Sequence, residues 1–361
     1  MTADRRLRPL ARAALPIIAC LTFAITVGAT LAVAGDTRGY DFLAYHQAAM
    51  RVLDGQPAYD LSFEASGAFG LFYYPPTFVP LVLPFGLLAA GTAVWAWAGL
   101  LIGAFLIGVA ILPVSRTVRW WIVLLAGLSW PFVYAVKLGQ VGPLLFLLFA
   151  VGWRWLDEPV RLGVSTALGT AIKLQPGLLF VWAPLTGRWR AVAAGAVTLA
   201  ILAVAATIVA GPGSWNDFLT LVRRVSDPIT TPHNFTPGAV AYQLGASAQV
   251  ASLLQWTSTL LAVVAVVIAA RLATAEASFL VAVVASQLLS PILWDHYALL
   301  LLLPVAYLLA AGRWWAIVIP LATAIPLVNL TPAAVYPIAF WATLLIVLLV
   351  GVRARRGEAI A

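Results

Sequence analysis

The residues best suited to chemistry lie in positions 35–76, which hold five of the thirteen acidic side chains: Asp36, Asp41, Asp54, Asp60 and Glu64. Only 9% of the chain is charged, and the apolar remainder holds few other candidate general bases, so this cluster is where base chemistry is expected. Other chemistries fit poorly. His46, His233 and His296 lack metal-ligand spacing, and no metal site is expected. The one cysteine, Cys20, lies inside an apolar run, which excludes an intramolecular disulfide and a Cys-based metal site. Asp54 and Asp60 adjoin Gly55 and Pro57 in turn-like sequence, where Asp serves backbone hydrogen bonds. Asp41 opens a run with Phe42, Tyr45, Ala49, Val52 and Leu53 at helical spacing, closed by Asp54-Gly55. This predicts an amphipathic helix in which Asp41 is an N-cap, a base, or both.

The elements that must carry these residues are set by hydropathy. With 63% hydrophobic residues and a mean hydropathy of +0.99, the composition excludes a soluble globule. Continuous runs such as 14–34 and 250–270 are long enough to cross roughly 30 Å of hydrocarbon as helix, whereas a transmembrane barrel would alternate. The expected fold is an all-α polytopic membrane protein, one domain over 1–361, with about twelve crossings centred near residues 24, 103, 127, 148, 167, 181, 200, 260, 285, 304, 322 and 342. The segments around 162–187 are short for a crossing. The break Lys173-Leu174-Gln175-Pro176-Gly177 between them implies a hydrophilic pocket, because broken helices at membrane depth must line a cavity or pack on protein.

The net charge of +8 comes from arginines that punctuate the apolar runs, which points to orientation in a bilayer and away from nucleic acid. Fifteen of the twenty-one basic residues fall on one side: Arg5, Arg6, Arg8, Arg12, Arg116, Arg119, Arg154, Arg161, Arg188, Arg190, Arg271, Arg313, Arg353, Arg355 and Arg356. The positive-inside rule then places both termini in the cytoplasm and two long loops, 35–91 and 211–249, outside. The basic flank of the first run resembles a signal peptide, but its length and missing cleavage site predict a retained anchor. Thr77–Ala90, with Pro80 and Pro84, is expected as an interfacial helix. Residues 214–226 are expected as another, with Ser214 as cap and Trp215, Phe218, Leu219 and Val222 on one face. Arg223 and Arg224 on that segment fit an anchor to anionic headgroups or a contact to substrate phosphate.

The order of several short motifs then resembles glycosyltransferase family 87. These are Asp41 with Tyr45, Gly55 and Tyr59; Tyr74-Pro75-Pro76; Gly139-Gln140; Lys173-Leu174-Gln175-Pro176; Asn234-Phe235-Thr236-Pro237; and Ser290-Pro291-Ile292-Leu293-Trp294-Asp295-His296-Tyr297. The resemblance spans about residues 14–350. It implies a GT-C-type bundle, a polyprenyl-phosphate sugar donor such as the mannose donor of the actinobacterial α-mannosyltransferases, and a catalytic aspartate in the first external loop, which maps onto Asp41.

Inverting transfer from such a donor needs a base for the acceptor hydroxyl and cations or donors for the departing phosphate. Asp41 is the expected base. His296, Lys173, Arg38 and Lys137 are the expected phosphate ligands, and Tyr45, Tyr74, Gln140, Gln175, Asn234 and Trp294 the expected lining. The structural alternatives are snorkelling for Lys173 and a bond to Asp295 or a backbone carbonyl for His296. No cofactor is expected. The partners implied are the lipid-linked donor, a glycolipid or glycan acceptor and the bilayer. Two readings compete: a transporter or flippase of polyprenyl-linked sugars, and a GT-C enzyme for another lipid-linked sugar.

Overall fold

The computed structural model describes residues 3–62, 70–224 and 228–357; Glu64 and the side chains of Arg5, Arg6, Arg8, Arg12 and Arg224 lie outside the described residues. The described chain is helical, with a lone bridge between Ser129 and Ala324 in place of any strand. The first helix, α1 (Ala3–Val33), leads through a short 3-10 turn to α2 (Tyr40–Leu53). The proline-broken segment that follows is two 3-10 turns around α3 (Val79–Val82), which matches Pro80 and Pro84 preventing one continuous helix. The chain continues with α4 (Ala90–Ile111), α5 (Arg116–Leu128), α6 (Trp130–Leu138), α7 (Gly142–Arg154) and α8 (Pro159–Ile172). Next come α9 (Leu178–Leu185), α10 (Trp189–Ala210), α11 (Ser214–Arg224) and α12 (Pro237–Gln243). Last are α13 (Ala248–Leu272), α14 (Ala275–Leu288), α15 (Leu302–Ala310), α16 (Val318–Leu321) and α17 (Val335–Arg355).

Five of these helices are long and apolar enough to cross a membrane: α1 over Ala14–Val33, α4, α10, α13 and α17. The pair α6 and α7, bent by 117°, makes a sixth if it is one broken span. Apolar segments at Ala275–Leu288 and Asp295–Ala310 are shorter. A 14-residue helix such as α8 rises only about 21 Å, less than the hydrocarbon thickness. The protein is therefore a helical membrane protein in which several apolar segments counted as crossings from hydropathy are short helices.

Small residues let these helices approach closely, the expected packing device where lipid removes the hydrophobic drive. On α8, a Cβ at Gly163 would collide with the Ala191 carbonyl of α10, and one at Gly127 of α5 would lie 2.9 Å from Phe23 Cα of α1. Several basic residues meet at helix ends. Arg188 reaches Asp157 at 3.0 Å, and Arg355 donates to the carbonyls of Arg271 and Ala273 at 2.7 and 3.2 Å. Arg119 and Arg154 line a cavity with Trp314 that shares no residue with the one described next.

Candidate active site

A cavity of about 560 Å³ opens among the segment that follows α1, the α6–α7 bend, the break after α8, and the turn before α15. Asp41 lies on its wall because of two left-handed glycines. Gly39, at φ +69°, is the N-cap position of α2 and donates its N–H to the Lys137 carbonyl at 2.7 Å. Gly139, at φ +75°, ends α6 and accepts from Trp97 Nε1 at 2.7 Å. A Cβ at Gly139 would lie 2.5 Å from Phe42 Cβ, so the first turn of α2 rests directly on this bend. The capping reading of Asp41 is thereby corrected: Gly39 occupies the cap, no side chain caps α2, and Asp41 is free to face the cavity. Ser214 is likewise the first residue of α11, its hydroxyl donating to the Gly211 carbonyl at 2.6 Å.

Gln140, the residue after the bend, donates from Nε2 to Asp41 Oδ2 at 2.6 Å. Its Oε1 accepts from the Tyr74 hydroxyl at 3.0 Å, and that hydroxyl accepts from Tyr45 at 2.6 Å. Burial raises the Asp41 carboxyl above its ordinary range. The nearby His296, the Gln140 bond and Lys173 pull it back in part, while Asp295 adds to the rise.

The cations face this carboxylate from separate elements. Lys173, extended at the end of α8 because Gln175-Pro176 cannot continue the helix, holds its Nζ 4.0 Å from the Tyr297 ring centre and 5.7 Å from that of Tyr74. Lys137 lies 5.6 Å from the Tyr134 ring. His296 is 4% exposed and its two ring nitrogens have no hydrogen-bond partner among the described residues. Its Nδ1 is 3.5 Å from Asp295 Oδ1, and Trp294 lies nearly parallel to its ring. Asp295 is held in place by Trp130 Nε1 at 3.1 Å and the His296 backbone N–H at 2.7 Å. Gln175 donates to Ser290 Oγ at 2.6 Å, tying the break after α8 to the turn before α15.

Asp41, Tyr45, Tyr74, Lys137, Gln140, Lys173, Gln175, Trp294 and His296 thus share one cavity. Two expected site residues do not line it. Arg38 is a correction: its Nε donates to the Leu31 carbonyl at 2.7 Å and its guanidinium lies 4.5 Å from the Trp95 ring, because the unpaired carbonyls ending α1 are nearer donors' targets than the cavity. Asn234 is the second correction. It is fully buried behind the wall, donating to the carbonyls of Pro228 and Pro291 and accepting from the N–H groups of Thr236 and Leu293. Lining residues not expected at the site include Tyr73, Tyr134, His233, Asp295 and Tyr297. Asp295 and Tyr297 flank His296 and Tyr134 sits one helical turn before Lys137, so adjacency was the signal available.

The fold and site define a helical membrane protein with a carboxylate, an imidazole and two lysines gathered in one pocket. The chain belongs to glycosyltransferase family 87, whose family model matches residues 72–293, more than half of its length. Comparison with curated proteins and with solved structures gave no match. It is accordingly a glycosyltransferase.

Proposed function

We propose that the protein transfers a hexose, mannose in the first instance, from a polyprenyl-phosphate donor to a glycolipid or glycan acceptor at the outer face of the plasma membrane. The observation that carries this reading is the placement of Asp41 across one cavity from Lys173, Lys137 and His296. In the transfer, Asp41 takes the acceptor O–H proton as that oxygen attacks the anomeric carbon. The carbon–oxygen bond to phosphate breaks, and polyprenyl phosphate leaves with the electron pair, its charge met by Lys173, Lys137 and His296. A lysine is suited to this as a point charge, and the flanking tyrosine rings hold Lys173 near its place before the donor arrives.

The reading extends to topology: a multi-pass protein in a GT-C-type bundle with both termini in the cytoplasm and the cavity facing out. The cationic cavity at Arg119 and Arg154, separate from the site, supports that orientation through the positive-inside rule. An outward site has no access to cytoplasmic nucleotide sugars, which favours a lipid-borne donor. The test is reconstitution in liposomes with radiolabelled polyprenyl-phosphate mannose and a lipid acceptor fraction. Asp41→Asn is expected to lower transfer by at least about 100-fold, the usual span for loss of a general base. Transfer at the parent rate by Asp41→Asn would overturn the assignment, and movement of donor across the bilayer without transfer would favour the flippase reading.

A further inference from the structure

We propose that Tyr45, Tyr74 and Gln140 form a one-way hydrogen-bond relay that holds Asp41 as a carboxylate and confines the proton it accepts to Oδ1. Tyr74 and Gln140 are then positioning residues for the base. The inference rests on the reading of Asp41 as the base and adds how its protonation is directed.

A glutamine amide has a donor end and an acceptor end of nearly the same shape, so its neighbours decide its orientation. In the order Tyr45 to Tyr74 to Gln140 to Asp41, at 2.6, 3.0 and 2.6 Å, each bonding hydrogen meets a lone pair and the last lone pair belongs to Asp41 Oδ2. The reverse order starts from a proton on Oδ2 given to Gln140 Oε1. Gln140 Nε2 then points at the Tyr74 oxygen, and one hydroxyl hydrogen of the tyrosine pair is left without an acceptor. Tyr45 is 1% exposed and Tyr74 is 6% exposed, so that hydrogen has little access to water although both rings border the cavity. An orphaned buried donor costs about 1–3 kcal/mol, and the penalty applies only to the acid protonated on Oδ2.

Oδ1 is different. It accepts no hydrogen bond from the described residues and belongs to a side chain on the cavity wall. A proton from an acceptor hydroxyl in the cavity reaches Oδ1 without disturbing the relay. The brace is rigid, since Tyr59 donates to the Tyr74 carbonyl at 2.8 Å and the Tyr45 and Tyr74 rings meet edge-on at 4.7 Å. The other groups that act on Asp41 come from separate elements: His296 and Asp295 from the turn before α15, Lys173 from the break after α8, and Tyr134 from α6, with Lys137 of α6 on the same cavity wall. Burial opposes the ionised form, and the relay favours it alongside His296 and Lys173.

The sign of the pH effect follows. A general base works when deprotonated, so activity falls as pH drops through its pKa, and any change that favours the acid moves that limb upward. Tyr74→Phe keeps the ring, removes the donor to Gln140 Oε1 and frees the amide to turn its oxygen toward a proton on Oδ2. The acid limb of kcat against pH should rise by about one unit, a tenfold change in ionisation constant, whatever the level of the pH-independent rate. Gln140→Met removes the amide and should move the limb in the same direction, providing the test if Tyr74→Phe does not fold. A rate lowered by the same factor at every pH, with the limb unmoved in the folded variant, would overturn the relay and reduce these residues to packing. If Asp41→Asn were also active, the base assignment would fail instead, so the two failures are distinct.

Discussion

Replacing Asn234 by alanine separates a structural clip from a substrate ligand. Its amide nitrogen spans the carbonyls of Pro228 at 2.6 Å and Pro291 at 3.0 Å, and its oxygen serves the N–H groups of Thr236 and Leu293 at 3.0 Å each. A fifth bond, from the Phe235 N–H to the Leu293 carbonyl at 2.8 Å, runs beside them and survives the substitution. At about 1 kcal/mol for each of the four lost bonds, Asn234→Ala should destabilise the protein by about 4 kcal/mol. Asn234→Asp keeps both acceptor bonds but turns an oxygen toward two carbonyls, so it should also destabilise. The assay is thermal unfolding in detergent, followed by tryptophan fluorescence, beside the donor KM of the folded fraction. Because Pro291 lines the cavity, loosening this clip should raise KM only as stability falls. An alanine variant with the parent melting temperature and no turnover would refute the reasoning and return Asn234 to the substrate.

Three further outcomes are expected. Gly139→Ala must hold a left-handed residue at about 1–2 kcal/mol and also push Phe42, whereas Gly55→Ala at φ +70° meets nothing within 4 Å. Melting and transfer measured side by side should therefore show a larger loss of both for Gly139→Ala, and equal effects would sink the account of the bend. Lys173→Met should raise the donor KM by roughly 10- to 100-fold with little change in fold, on the scale of one charge-assisted contact of about 1.5–3 kcal/mol; binding of labelled polyprenyl phosphate reads this directly. Arg38→Ala should lower the melting temperature slightly by freeing the carbonyls of Leu31 and Ala32 while leaving the donor KM within twofold, and a tenfold rise would place Arg38 at the phosphate.

The long crossings were legible because a 22-residue apolar run such as Ala90–Ile111 has few other uses. The short ones were not, since α8 and α14 share the composition of a spanning helix and differ only in where proline, glycine and lysine end them. Asp41, Lys173 and His296 stood out as rare charges in a chain with few. Arg38 and Asn234 had the same polarity and proximity, yet their bonds go to backbone carbonyls and amides, a destination fixed by tertiary geometry. Asp295 was visible only as a neighbour of His296, because its bond to Trp130 joins positions 165 residues apart.

The amphipathic helix α11 supplies Phe218 and Val222 to the cavity wall, touches Tyr59 through Phe218, and is tied to α10 by Trp215 donating to Thr207 at 3.0 Å. A helix of this pattern suits the plane of a membrane interface, apolar face inward. The wall of the site is therefore built in part from a helix of interfacial pattern, and the shape of the cavity depends on how that helix packs as well as on the residues that touch the reacting atoms.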